Sequence, residues 1–237
     1  MTDTVVVIPT YNNAGTLADV LERTLAQGFP VVVVDDGCTD STASVLEGFD
    51  RQSLTVLEHP RNMGKGAALK TAFKWALEQG YSYAVTIDSD GQHYPEDIPV
   101  LVAGKGERTL VIGSRQMRGA NAGGSFANRF SNFWFRLYTG VSLQDTQTGF
   151  RLYPLHHLPS LKVVSSRYEA ELSLLVFSAW KGVRLIPVPV RVSYPENRVS
   201  HFRPFRDFMR ITVLNTIFLP VAILYGYPRL LFNRLFL

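Results

Sequence analysis

Three oxygen-bearing side chains stand at alternate positions, Asp88, Asp90 and Gln92, directly after the apolar run "YAVTI". Residues two apart in an extended chain share a face. The two carboxylates are therefore read as projecting together, and Gln92 joins them only if the chain does not already turn at Gly91. Such a set suits a hard divalent cation, Mg2+ or Mn2+, and not zinc. It is too small to fill a coordination shell, so water or substrate phosphates have to complete it. The alternative is a solvated Asp-Ser-Asp-Gly turn, and spacing alone does not separate the two.

Three further clusters also follow or open a regular element. "PTYNN" (9–13) comes after "TVVVI". In "VVDDGCTDST" (33–42), Asp35 and Asp36 end another apolar run and Gly37 permits a sharp turn. Thr39 or Asp40 is positioned to cap the next helix. Adjacent aspartates repel and need donors, which a nucleotide base or ribose would supply. "RNMGKG" (61–66) opens a helix, where phosphates bind readily. It lacks Walker spacing and reads equally as an ordinary loop.

The elements that position these clusters are legible from pattern. "TVVVI" (4–8), "VVVVD" (31–35), "LTVLE" (54–58), "YAVTID" (83–88) and "TLVIGS" (109–114) are continuous apolar runs that suit strands buried on both faces. Between them lie helix-period segments, the clearest at 65–79 and ended by Gly80. This alternation predicts an α/β fold with a mostly parallel sheet flanked by helices. Ligands in such sheets bind beyond the carboxyl ends of the strands, where the clusters fall. Further on, 126–140 and 168–180 read as helices, "DTQTGFRLY" (145–153) as a turn and then an extended segment, and "VRLIPVPVRV" (183–192) as an edge strand because of its two prolines.

With 237 residues, 46% hydrophobic and 19% charged, the chain can bury a sizeable core and is not disordered. The net charge of +4 is uneven: residues 184–237 carry eight arginines against Glu196 and Asp207. No basic stripe runs through the main body, so nucleic acid is not an expected partner. The single Cys38 fits a reducing compartment, and the apolar run at the start is too short for a signal peptide.

Taken in order, "PTYNN", "VVVVDDGCTDST", "RNMGKGAALKTAF", "DSDGQHYPEDI", "GSR" and "DTQTGFRLY" resemble the motifs of family-2 glycosyltransferases of the GT-A fold. They are most similar to the dolichyl-phosphate mannose synthase-like enzymes, over about residues 4–201. The resemblance implies a catalytic domain at 1–201 and sugar transfer from a nucleotide-diphospho-sugar to a polyprenyl phosphate. Pro9, Tyr11, Val34 and Asp36 would line the nucleoside pocket, with Asn13 where the mannose synthases carry an acidic residue. That difference leaves UDP- and GDP-sugars both open. Asp88 and Asp90, with Ser89 between them, would be the DxD pair, Gln92 would join them at the metal, and Arg115 would contact the donor. Arg198 and His201 are the nearest equivalents of a basic loop that clamps the diphosphate.

The expected chemistry is inversion at the anomeric carbon. A phosphate acceptor is already ionised, whereas a hydroxyl acceptor needs a base; Asp145 is the first candidate and Glu171 the second. Asp145 is read alternatively as a turn cap, and Arg151 as a brace for an acidic site. Glu169 and Glu171 lie two apart in a helix and cannot share a face.

The segment 202–237 mixes Phe, Leu and Ile with arginines. Its apolar run Ile211 to Tyr225 contains Asn215 and Pro220 and is short of the roughly 20 residues of a membrane span. It is read as amphipathic helices lying on the cytoplasmic face of a membrane, or else packed on the catalytic domain or a partner. A homo-oligomer is left open. The competing functions are transfer to a hydroxyl of a polysaccharide or glycolipid, and a nucleotide-sugar-binding partner without turnover.

Overall fold

The computed structural model describes residues 2–115, 126–160, 169–193, 216 and 218–236. Arg198 and His201 lie outside the described residues. The strands are β1 (Thr4–Thr10), β2 (Val31–Asp35), β3 (Leu54–Glu58), β4 (Tyr83–Thr86), β5 (Thr109–Arg115), β6 (Arg151–Pro154) and β7 (Arg184–Val190). They form one sheet in the order β3-β2-β1-β4-β6-β5-β7. β6 runs antiparallel to β4 and β5, and the other pairings are parallel. The helices are α1 (Ala14–Leu25), α2 (Thr42–Glu47), α3 (Lys65–Glu78), α4 (Ile98–Ala103), α5 (Phe126–Thr139), α6 (Glu169–Trp180) and α7 (Tyr227–Phe236).

The continuous valine runs arise because both faces of the sheet are covered. On β1, Val5 and Val7 join a core with α3, α5 and α6, whereas Val6 and Ile8 join a second core with α1 and α4. α3 turns Ala68, Leu69, Ala72, Phe73 and Ala76 into the first core, as the stripe in the sequence demands. Among the described residues β7 pairs only with β5, so Pro187 and Pro189 sit on an edge where a missing N–H is tolerated.

One expectation is corrected. The fourth strand ends at Thr86 and not at Asp88. The last backbone tie to β1 is Ile87 N–H to the Val7 carbonyl, after which Ser89 and Asp90 form a turn. Strand alternation therefore does not set the directions of Asp88 and Asp90. Their own partners do.

Candidate active site

Because β2, β1 and β4 are parallel neighbours, their carboxyl ends lie together, and the loops that follow are laced to one another. Asn12 has φ of 53°, a left-handed conformation that asparagine tolerates. Its Oδ1 accepts from Thr39 N–H at 2.8 Å, and its own N–H meets Cys38 Sγ at 3.2 Å. Asp40 accepts from Thr42 N–H at 3.0 Å and from Ala14 N–H at 3.1 Å, so one carboxylate caps the starts of both α2 and α1. Asn13 Nδ2 donates to Ser89 Oγ at 3.0 Å, and Thr16 Oγ donates to the Ser89 carbonyl at 2.6 Å. Ser89 Oγ in turn lies 3.4 Å from the Pro9 carbonyl. Asn13, Pro9 and Ser89 are thus brought together at the β1–β4 junction.

Asp36 obtains its donors from the protein. It is buried and accepts from His59 Nδ1 at 2.7 Å, Met63 N–H at 2.9 Å and Gly64 N–H at 2.7 Å. Asp35 turns the other way and accepts from Cys38 N–H at 2.8 Å. The paired aspartates coexist because one fixes its own turn and the other holds the loop that opens α3. Val34 is buried in the sheet core beneath them, and Tyr11 is half-buried at the end of β1.

That loop delivers Lys65, which was not singled out in the sequence. Its Nζ lies 2.6 Å from Asp88 Oδ1 and 3.0 Å from Glu171 Oε2. Burial alone raises the Asp88 carboxyl, but the adjacent Lys65 charge outweighs it and holds Asp88 below the ordinary carboxylate range. Burial likewise works against the Lys65 charge, and the two carboxylates overcome it and hold its pKa above normal. Glu171 is pushed up by burial, and its Oε1 is buried with no hydrogen-bond partner among the described residues. Gly149 backs onto this cluster: a side chain there would run into Asp88 and Lys65. The "TGF" of "DTQTGF" is thus a close approach of backbone to a charged site.

On the other side, Arg115 grips Asp145 with two parallel hydrogen bonds, Nε to Oδ2 at 2.5 Å and an Nη to Oδ1 at 2.8 Å. Asp145 is buried and also accepts weakly from Gln147 N–H at 3.3 Å. Arg151 is fully buried and donates to the carbonyls of Glu171 and Thr146, each at 2.8 Å, so it braces α6 and the "DTQTG" loop together. Asp90 accepts from Gln92 N–H at 3.0 Å, which closes the turn, and Gln92 is buried behind it.

His93 was also missed, although it directly follows Gln92. It is buried against the Phe150 ring, and burial lowers its pKa, favouring the neutral imidazole. A cavity of about 200 Å3 is lined by Gly91 and His93 from the turn and by Thr16 and Arg23 from α1. Tyr94 lies between the Arg23 and Arg191 guanidiniums, at 5.2 and 5.1 Å from its centroid, which ties the turn to α1 and to the end of β7.

Asp88, Asp90 and Gln92 carry hard oxygens of the kind a divalent ion takes, although among the described residues no three His, Cys, Asp or Glu side chains cluster closely enough to hold one by themselves. Lys65 already covers one oxygen of Asp88, leaving that residue its second to give.

The sequence model of Glycosyl transferase family 2 matches residues 5–154, more than half of the chain and nearly every loop just described. The chain belongs to glycosyl transferase family 2. It is 32% identical over 197 residues to the undecaprenyl-phosphate mannosyltransferase of Micrococcus luteus, covering 78% of this chain and 81% of that one. It is 26% identical over 236 residues to a UDP-N-acetylglucosamine–dolichyl-phosphate N-acetylglucosaminyltransferase of Methanococcus voltae, covering 88% and 94%. Among solved structures, glucosyl-3-phosphoglycerate synthase of Mycobacterium tuberculosis, crystallised with Mn2+, uridine diphosphate and glucosyl-3-phosphoglycerate, superposes with a TM-score of 0.66 at 20% identity, over 92% of this chain and 79% of that one. The fold is therefore GT-A, and this family-2 chain is a glycosyltransferase.

Proposed function

We propose that this glycosyltransferase moves a sugar from a nucleotide-diphospho-sugar onto a polyprenyl phosphate at the cytoplasmic face of a membrane, with inversion. The observation that carries the acceptor class is the state of the two carboxylates considered as bases. Both oxygens of Asp145 are held by Arg115. Glu171 gives one oxygen to Lys65 and keeps the other buried. Asp145 is thus fully engaged, Glu171 keeps one oxygen unpaired among the described residues, and a phosphate acceptor needs no such base. Relatives named for undecaprenyl-phosphate and dolichyl-phosphate transfer support the same class.

In this reading the loops after β1 and β2 form the nucleoside side of the site, with Tyr11 along it and the buried Pro9, Val34 and Asp36 supporting it from beneath. Asn13 acts through Ser89, fixing the turn that carries the DxD pair. Asp88, Asp90 and Gln92 would hold a Mg2+ or Mn2+ ion, whose charge offsets that building on the departing nucleoside diphosphate. Lys65 holds Asp88 ionised and in place. Arg115, itself oriented by Asp145, faces the donor's phosphate or sugar. Arg198 and His201 are assigned to the diphosphate from the resemblance of their segment. The free thiol of Cys38 fits the reducing side of the membrane.

The test is a radiolabelled transfer assay with polyprenyl phosphate, Mg2+ or Mn2+, and a panel of UDP- and GDP-sugars. Label entering the organic phase with one donor, and lost in Asp90→Ala, is the expected result. Donor turnover with label on a sugar hydroxyl instead would redirect the acceptor assignment, and no turnover of any donor would overturn the reading.

A further inference from the structure

We propose that the outer face of α5 and the outer face of residues 218–236 form one surface that docks on an anionic bilayer leaflet. The inference takes its choice of occupant from the lipid-linked acceptor proposed above.

α5 divides cleanly. Its inner face holds the "DTQTG" loop: Asn128 and Asn132 donate to the Gln144 carbonyl at 3.2 and 2.7 Å, Asn132 accepts from Thr146 N–H at 3.1 Å, and Ser131 meets the Thr146 hydroxyl at 2.9 Å. Its outer face, one turn apart, presents Phe133, 62% exposed, and Leu137. Residues 218–236 divide in the same way. Phe218 and Ala222 are buried, Phe218 among the rings of Tyr138, Phe177 and Trp180. Gly226 sits so close to Trp180 that a side chain there would collide with the indole, and Asn233 Nδ2 donates to the Trp180 carbonyl at 3.1 Å. The opposite side exposes Ile223, Leu224 (80%), Leu231 and Phe232. Tyr227 Oη donates to the Leu137 carbonyl at 2.5 Å, so the two apolar faces adjoin.

Charge selects the occupant. Residues 126–139 and 218–236 contain Arg129, Arg136, Arg229 and Arg234 and no acidic residue. Arg129, Arg136 and Arg229 are exposed. Arginines among exposed Phe, Leu and Tyr fit lipid phosphates at the depth of the head groups. A second copy of this surface would set arginine against arginine, which costs association. No helix of the described residues is long and apolar enough to cross a membrane. α5 is a single helix, about 10–12 Å across with side chains, and its inner face holds the loop carrying Asp145.

The test is flotation of the full chain with vesicles of phosphatidylcholine alone or mixed with phosphatidylglycerol. The chain is expected to float with the mixed vesicles. Phe133→Ser with Leu137→Ser, and separately Leu224→Ser with Leu231→Ser, should each lower partitioning by about tenfold or more with unchanged circular dichroism and melting. Arg129→Gln with Arg136→Gln should weaken it on the mixed vesicles only. Flotation unchanged by the serine pairs, or failure of the unaltered chain to float, overturns the proposal. So does light scattering that shows a dimer split by the same substitutions. Nucleotide-sugar binding by the same variants in solution reads the transferase assignment separately. Flotation without donor binding would sink that assignment and leave the docking surface standing.

Discussion

The two halves of the molecule are held by different forces. Beyond β2, β1 and β4, position is set by charge and directed hydrogen bonds: Asp36 on the α3 loop, Asp40 on two helix starts, Lys65 between Asp88 and Glu171. Around α5, α6 and residues 218–236 it is set by ring packing, with Trp180 fully buried and touching Phe177, Phe218 and Tyr225. A cleft that must fix a highly charged diphosphate needs groups whose directions and ionisation are fixed beforehand. A wall that meets a polyprenyl chain, as the proposed function requires, needs shape and apolar area.

The largest way to break the contrast is Lys65→Met. It leaves Asp88 and Glu171 facing each other without their cation, and unfolding free energy should fall by about 3 kcal/mol. Denaturant titration measures this, and adding Glu171→Gln should recover part of the loss, a coupling that independent sites would not show. The pH dependence has a definite sign. Asp88 is depressed in the folded chain, so its contribution is present above the unfolded carboxylate pKa and fades as pH falls through the lower folded value. Lys65 is raised, so its contribution is present below the unfolded lysine pKa and fades as pH rises through the higher folded value. Stability should therefore fall at both extremes. Glu171, raised by burial, opposes the acid loss and removes stability as pH rises through its folded pKa. Lys65→Met should flatten both shoulders.

Next is Arg115→Lys, which keeps the charge and loses the two-pronged grip on Asp145. Transfer, read as kcat/KM, should fall by about tenfold to a hundredfold, while melting moves little. On the aromatic side, Gly226→Leu drives a side chain into Trp180. It should cost about 1–3 kcal/mol and change the near-ultraviolet dichroism, with donor binding retained. The smallest effect is at Cys38, whose pKa is pushed up to about 12 by burial, with Asp35 adding to it. The unfolded chain ionises first, at about 8.5, so this group removes stability as pH rises from there. Alkylation at mildly alkaline pH should be slow in the folded chain and fast after unfolding.

The same contrast explains what the sequence disclosed. Strands whose two faces are both covered must be apolar throughout, so β1, β2 and β5 stood out, as did the stripe of α3 and the edge position signalled by Pro187 and Pro189. The polar clusters were visible because carboxylates at strand ends are conspicuous. Their partners were not. Nothing in "RNMGKG" says that Lys65 crosses to β4 and α6, because that meeting depends on a sheet order in which β6 inserts antiparallel between β4 and β5. Spacing paired Asp88 with Asp90; the fold paired Asp88 with Lys65. Phe133 and Leu137 read as ordinary positions of an aromatic helix, since exposure is a tertiary property.

Two-substrate kinetics on paired variants tests most directly whether a charged donor floor and an apolar acceptor wall divide the work. Nucleotide sugar and vesicle-borne polyprenyl phosphate would be varied independently in the unaltered chain, in Asp88→Asn, and in Phe133→Ser with Leu137→Ser. The expected result is loss of turnover at every lipid concentration in Asp88→Asn. The serine pair should raise the apparent KM for the lipid alone and keep the donor KM. A serine pair that lowers turnover and raises the donor KM, or an Asp88→Asn that transfers sugar normally, would contradict the division.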